Sequence, residues 1–106
     1  MRVMGKVVEQ ESGKPLAGLQ VRAFDKDLLF DDKLGVATTD AAGAFRIDYS
    51  ELDFSSIFGN ETSPELYVRV FDATGKKLLY TSEKAIRKDP KVEEHYDIKI
   101  AKAKLG

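Results

Sequence analysis

Apolar and polar residues alternate along nearly the whole chain, interrupted at intervals by Gly, Pro, Asp and Ser. A period of two is the signature of strands buried on one face. Residues 2 to 9 open the series, with Val3, Gly5 and Val7 on one side. The breakers Glu11-Ser12-Gly13-Lys14-Pro15 follow, and a second strand then spans Leu19 to Phe24, setting Leu19, Val21 and Ala23 against Gln20, Arg22 and Phe24. Leu34 to Thr39 forms a third, and Ala44 to Tyr49 a fourth with Phe45, Ile47 and Tyr49 inward. Between them Asp40-Ala41-Ala42-Gly43 reads as a tight turn, in which Asp accepts its following amides and Gly takes positive φ. Leu66 to Asp72 repeats the alternation with Leu66, Val68 and Val70. The turn Asp72-Ala73-Thr74-Gly75 repeats the chemistry and hands over to Lys77 through Thr81. Ala85-Ile86-Arg87 is expected to add one short strand before Asp89-Pro90, and Glu94 to Ala101 the last, with Tyr96, Ile98 and Ile100 on its core side.

Residues 50 to 65 do not alternate; Ser50-Glu51-Leu52-Asp53 offers a capping box for one helical turn ahead of Phe54, Ile57 and Phe58. Strands joined without long helices pair mainly antiparallel. The expected fold is therefore all-β: a single-domain, antiparallel Greek-key sandwich of seven or eight strands in two sheets. Its predicted core holds Val7, Leu19, Val21, Phe45, Ile47, Val68, Val70, Ile98 and Ile100. A chain of 106 residues suits one such core and leaves no room for a second domain.

Composition narrows the function classes. Lys plus Arg number 17 against 18 for Asp plus Glu, so no positive field draws the chain to nucleic acid or to an anionic membrane surface. There is no apolar run long enough for a signal peptide's core or for a membrane span, so membrane insertion is not expected. Without cysteine there is neither a disulfide nor a thiol nucleophile, and the compartment stays open.

The runs Gly5-Lys6-Val7-Val8, Gly13-Lys14-Pro15-Leu16-Ala17-Gly18-Leu19-Gln20-Val21 and Ala37-Thr38-Thr39-Asp40-Ala41-Ala42-Gly43-Ala44-Phe45 resemble the carboxypeptidase regulatory-like domains of the transthyretin-like (prealbumin-like) sandwich superfamily. The resemblance is close over the first half and continues in outline through Leu66-Tyr67-Val68-Arg69-Val70-Phe71-Asp72. It implies an accessory module, often extracytoplasmic and part of a larger protein, that supports folding, spacing or adhesion. Two enzymatic relatives of that sandwich do not carry over. Intradiol dioxygenases need two Tyr and two His on iron, and this chain has one His; hydroxyisourate hydrolases end in Tyr-Arg-Gly-Ser, unlike Ile100-Ala101-Lys102-Ala103-Lys104-Leu105-Gly106.

Candidate chemistry is sparse. His95, the one histidine, stands between Glu94 and Tyr96 with no nucleophile grouped beside it, so a surface or structural role is expected and no catalytic residue is assigned. Asp25, Asp27, Asp31 and Asp32 crowd one loop, where oxygen ligands would suit calcium. They lack EF-hand order, and Lys26 and Lys33 offset their charge, so a solvated acidic loop is the preferred reading and a calcium site the alternative. The glycines are dispersed, with no phosphate-binding motif, and no cofactor is implied; Asn60-Glu61-Thr62 matches a glycosylation sequon of little weight.

The remaining candidate is a surface. If Val21, Val68 and Val70 face inward, alternation sends Arg22, Phe24, Tyr67, Arg69 and Phe71 to the opposite face, a composition typical of binding interfaces. The competing expectation is structural: Phe24 and Phe71 cover strand ends or tuck under the irregular loop, while Arg22 and Arg69 pair with Asp48. Leu28-Leu29-Phe30 is a second candidate patch. The expected function is a non-catalytic accessory or protein-interaction module with a protein partner, and the alternative is a binder of carbohydrate or calcium.

Overall fold

The computed structural model describes residues 1–27, 30–50 and 64–106. Eight strands occur among them: β1 (Arg2–Glu9), β2 (Gln20–Asp25), β3 (Asp32–Thr38), β4 (Ala44–Asp48), β5 (Glu65–Phe71), β6 (Leu78–Thr81), β7 (Arg87–Lys88) and β8 (Glu93–Ile100). One sheet has the order β4-β1-β8. The other has the order β3-β2-β5-β6, with β7 paired to the start of β5. The expected all-β two-sheet sandwich is the observed fold.

Its core follows from the alternation. Val3 and Val7 of β1, Phe45 and Ile47 of β4, and Tyr96, Ile98 and Ile100 of β8 pack against Val21, Ala23, Leu34, Leu66, Val68, Val70 and Leu79 of the other sheet. Full burial of each such aliphatic side chain contributes about 1.5 to 3 kcal/mol. Of the predicted core, Leu19 alone is partly exposed and packs at the margin.

The two Asp-to-Gly turns form as the sequence predicts. Asp40 Oδ1 accepts the amides of Ala42 and Ala44, both at 2.9 Å, and Gly43 sits at φ +74°. Asp72 Oδ1 accepts the Thr74 hydroxyl at 2.6 Å and the Lys76 amide at 3.2 Å, and Gly75 also sits at φ +74°. An added Cβ differs between them: at Gly43 it would lie 2.5 Å from the Val7 carbonyl oxygen, and at Gly75 2.8 Å from the mobile end of Arg22.

Two expectations change. β1 and β8 pair in parallel, because the whole intervening chain serves as the long crossover that parallel neighbours require. The strand expected at Ala85-Ile86-Arg87 is a 3-10 turn at Glu83–Ala85 followed by β7. Ser82 causes the break: its hydroxyl oxygen accepts the Val68 amide at 2.8 Å, substituting for a ladder bond and freeing the chain to turn. The helical turn expected after Ser50, with Phe54, Ile57 and Phe58, and the sequon at Asn60 lie outside the described residues. A short helix, Lys102–Leu105 (α1), closes the chain; Leu105 packs on the core, and Glu11 Oε1 accepts the Lys102 amide at 2.9 Å.

Candidate functional site

β2 and β5 pair so that Arg22 lies opposite Arg69, Phe24 opposite Tyr67, and Gln20 opposite Phe71. Alternation does place the five candidate residues on the face away from the core, but that face is closed at Tyr67 and Phe24 and only partly open at Arg22, Arg69 and Phe71. Tyr67 has 0% of its surface exposed and Phe24 7%; Arg22, Arg69 and Phe71 are half-buried. The Phe24 and Tyr67 rings stack with centroids 5.2 Å apart and planes inclined by 17°. The Arg69 guanidinium lies over both, at 5.3 and 5.4 Å, and Arg22 lies over Phe71 at 4.0 Å.

Two arginines directly opposite one another repel, and the structure offsets this with separate acceptors. Arg69 donates to Glu83, with Nε at 2.9 Å; Arg22 donates to Gln20 Oε1 at 3.0 Å and to the Gly75 carbonyl at 3.1 Å. The expected partner, Asp48, is elsewhere, on the three-stranded sheet, bound to Arg2 and Arg46. The Tyr67 hydroxyl donates to Asp31. Burial and this bond to a carboxylate raise the Tyr67 pKa well above its ordinary value of 10.0. The Arg69 contact lowers the Glu83 pKa. For Asp31 burial pushes upward, but the Tyr67 hydroxyl, the Asp27 amide and Lys26 outweigh it, and its pKa falls.

The four loop aspartates do not converge. Asp25 is fully buried and accepts the Glu65 amide at 2.8 Å; Asp32 faces it across the β2–β3 ladder. Asp31 accepts the Asp27 amide at 3.1 Å and pairs with Lys26 at 3.6 Å, in addition to Tyr67. Among the described residues no three His, Asp or Glu side chains are grouped to hold a metal. Leu28 and Leu29 lie outside the described residues; Phe30 is 82% exposed.

His95 points to solvent on the outer side of β8, its Nε2 at 2.9 Å from Glu93 Oε1. That outer face of the three-stranded sheet is wet, crossed by the Arg2–Asp48, Arg2–Glu93 and Arg46–Asp48 pairs.

Two concavities were not anticipated. One, of about 360 Å³, lies over the β2–β3 pair and is lined by Arg22, Phe24, Lys33 and the 62%-exposed Val36. The other, of about 350 Å³, opens between the free edges of β6 and β8, with Tyr80, Lys84, Lys99 and Lys104 around it. Its sequence signal was the basic run Lys99, Lys102, Lys104, but Lys84 joins through the Ser82 break, which alternation cannot show. Arg87, also unanticipated, clasps the two sheets: from β7 it donates to Glu94 Oε1 at 2.7 Å and the His95 carbonyl at 2.8 Å, and covers the Tyr96 ring at 3.8 Å.

No helix among the described residues is long and apolar enough to cross a membrane. No protein-family model and no curated protein matches the sequence. Solved structures similar to the chain include a 9R-lipoxygenase from Cyanothece PCC8801, with a TM-score of 0.62 and 24% identity, covering 91% of this chain and 15% of that one. The chain thus spans a small part of that protein's length, and at this identity the likeness establishes the two-sheet sandwich fold alone.

Proposed function

We propose that the chain is a non-catalytic accessory module, of the carboxypeptidase regulatory-like and transthyretin-like kind, that acts by surface recognition of a protein partner. The observation carrying this reading is the internal use of its reactive side chains. Tyr67 is spent on Asp31, Arg69 on Glu83 and Arg87 on Glu94, and His95 pairs with an exposed Glu93. What the surface offers a partner is shallow concavity and strand edge.

The test has two arms. Purified protein is assayed against panels of esters, phosphoesters, glycosides, peptides and catechols, and is panned against random displayed peptides. Background turnover with recovered peptide binders is the expected result; turnover that His95→Ala abolishes overturns the reading.

A small-ligand reading rests on the depression beside Phe24, where an aromatic edge and the cations Arg22 and Lys33 adjoin exposed Val36. Its calcium version is checked by melting, since a ligand bound only to the native state raises stability by mass action. Millimolar calcium is expected to leave the melting temperature unchanged. A rise lost in the Asp27→Asn/Asp31→Asn variant would reinstate the calcium site.

A further inference from the structure

The groove between β6 and β8 gathers cations from separate parts of the fold. Its three lysines come from three separate elements, Lys84 from the 3-10 turn, Lys99 from β8 and Lys104 from α1, and none meets a carboxylate among the described residues. All three are exposed, and between them the groove is lined by half-buried Tyr80 and the margins of the core residues Leu79 and Ile100, at 5% and 2% exposure. The cations are held in place: Leu105 anchors α1 on the core, Glu11 binds its first amide, and the Arg69–Glu83 pair fixes the turn that carries Lys84.

The edge also presents backbone. In the parallel β1–β8 ladder the Arg2 amide donates to Val92 O and the Gln10 amide to Ile100 O, so even-numbered residues of β8 face β1. The N–H and C=O groups of Asp97 and Lys99 therefore point outward along the free edge, the His95 carbonyl being taken by Arg87. Unpaired strand groups beside half-buried Tyr80 and unneutralised cations suit a partner that supplies extended backbone, apolar side chains and negative charge together.

Resting on the recognition reading above, we infer that this groove binds an extended acidic peptide segment, added at the Lys99 end of β8, whose alternate acidic side chains meet Lys84, Lys99 and Lys104 and whose intervening apolar side chains pack on Tyr80. Lysine on an edge strand also serves to repel other chains. That role would be met by Lys99 alone, and it makes the opposite prediction: removing the lysines should cause self-association.

The experiment measures fluorescence anisotropy of labelled peptides with the full chain at low ionic strength. The probes are an alternating Glu-Val peptide, its Lys-Val counterpart, a Glu-Val peptide with central Val replaced by Pro, and inorganic polyphosphate. The Glu-Val peptide should bind, the Lys-Val peptide should not, and Pro, which removes a backbone donor, should weaken binding. The Lys84→Gln/Lys99→Gln/Lys104→Gln variant should bind at least about tenfold more weakly, the factor given by losing about 1.4 kcal/mol, with an unchanged unfolding midpoint and the parent's elution volume. Lys88→Glu, on β7 and outside the groove lining, should bind as the parent does. Polyphosphate binding without peptide binding, equal binding by the triple variant, or self-association of that variant would overturn the inference. If panned random peptides still bind the triple variant undiminished, the groove assignment alone fails; turnover in the enzyme panel is what fails the recognition reading itself.

Discussion

The outer face of β2 and β5 and the open edge between β6 and β8 are both rich in cations, yet they have opposite fates. On the first, Arg69 meets Glu83, Arg22 meets Gln20 and Gly75, and both cover aromatic rings. On the second, Lys84, Lys99 and Lys104 stand around a groove with no carboxylate partner among the described residues. Guanidinium is planar, stacks on rings and bonds several acceptors at once, so it serves as an internal fastener; ammonium on a long stem stays hydrated and available. Aromatic and arginine content, taken alone, does not tell a face whose rings are buried from one that is open.

The largest expected effect breaks the first region. Tyr67→Ala removes a fully buried ring and its stack on Phe24, and should cost about 3 to 5 kcal/mol in urea unfolding. A cost within about 0.5 kcal/mol, the range of ordinary surface changes, would mean the face is open after all.

Gly43→Val should come next. Positive φ costs a β-branched residue on the order of 1 to 3 kcal/mol, and the added Cβ also strikes the Val7 carbonyl, which is backbone and cannot swing aside. Gly75→Val carries the same φ strain but meets the flexible ends of Arg22 and Gln20, so its midpoint should fall less. Equal midpoints would show that the contact with Val7 is readily relieved.

Tyr67→Phe keeps the stack and deletes the hydroxyl, leaving Asp31 without that donor, at a cost of about 1 to 3 kcal/mol. It also has a pH signature. The folded pKa of Tyr67 is raised, so its contribution is fully present below the unfolded value of 10.0 and declines as pH rises beyond it. Parent stability should therefore fall above pH 10.0, and Tyr67→Phe should fall less steeply, with Tyr49 and Tyr96, also raised by burial, supplying the remainder. On the acid side, Glu83 and Asp31 have lowered folded values. Their contributions are present above the ordinary carboxylate range near 4 and are lost as pH falls through it. Identical alkaline slopes for parent and Tyr67→Phe would remove Tyr67 from the account.

The smallest stability effect is expected in the second region. Lys99→Ala should leave the unfolding free energy in urea within about 0.5 kcal/mol of the parent's, since no partner among the described residues loses a bond.

These contrasts also measure what the chain reveals before it folds. Strands β1 to β5, both Asp-to-Gly turns and the core face were legible, because period-two burial and positive-φ turns are local rules that Val21, Val68, Asp40 and Gly43 state directly. Which side of the second sheet is wet was not. Alternation assigns Tyr67 and Arg69 to the outer side but does not report that Asp31, 36 residues from Tyr67, and Glu83, 14 residues from Arg69, return to engage them. Ser82 was equally invisible as a strand terminator, since its hydroxyl acts on Val68 across the sheet. The lysine groove was hidden for the same reason: Lys84, Lys99 and Lys104 become neighbours only once the sandwich has closed.

The closed state of the aromatic-arginine face is tested most directly by solvent paramagnetic relaxation of side-chain resonances with a soluble nitroxide. Tyr67 and Phe24 ring protons should be protected, while the Phe30 ring and Val92 methyls, 82% and 76% exposed, should relax strongly. Strong relaxation of the Tyr67 ring in the folded protein would contradict the account.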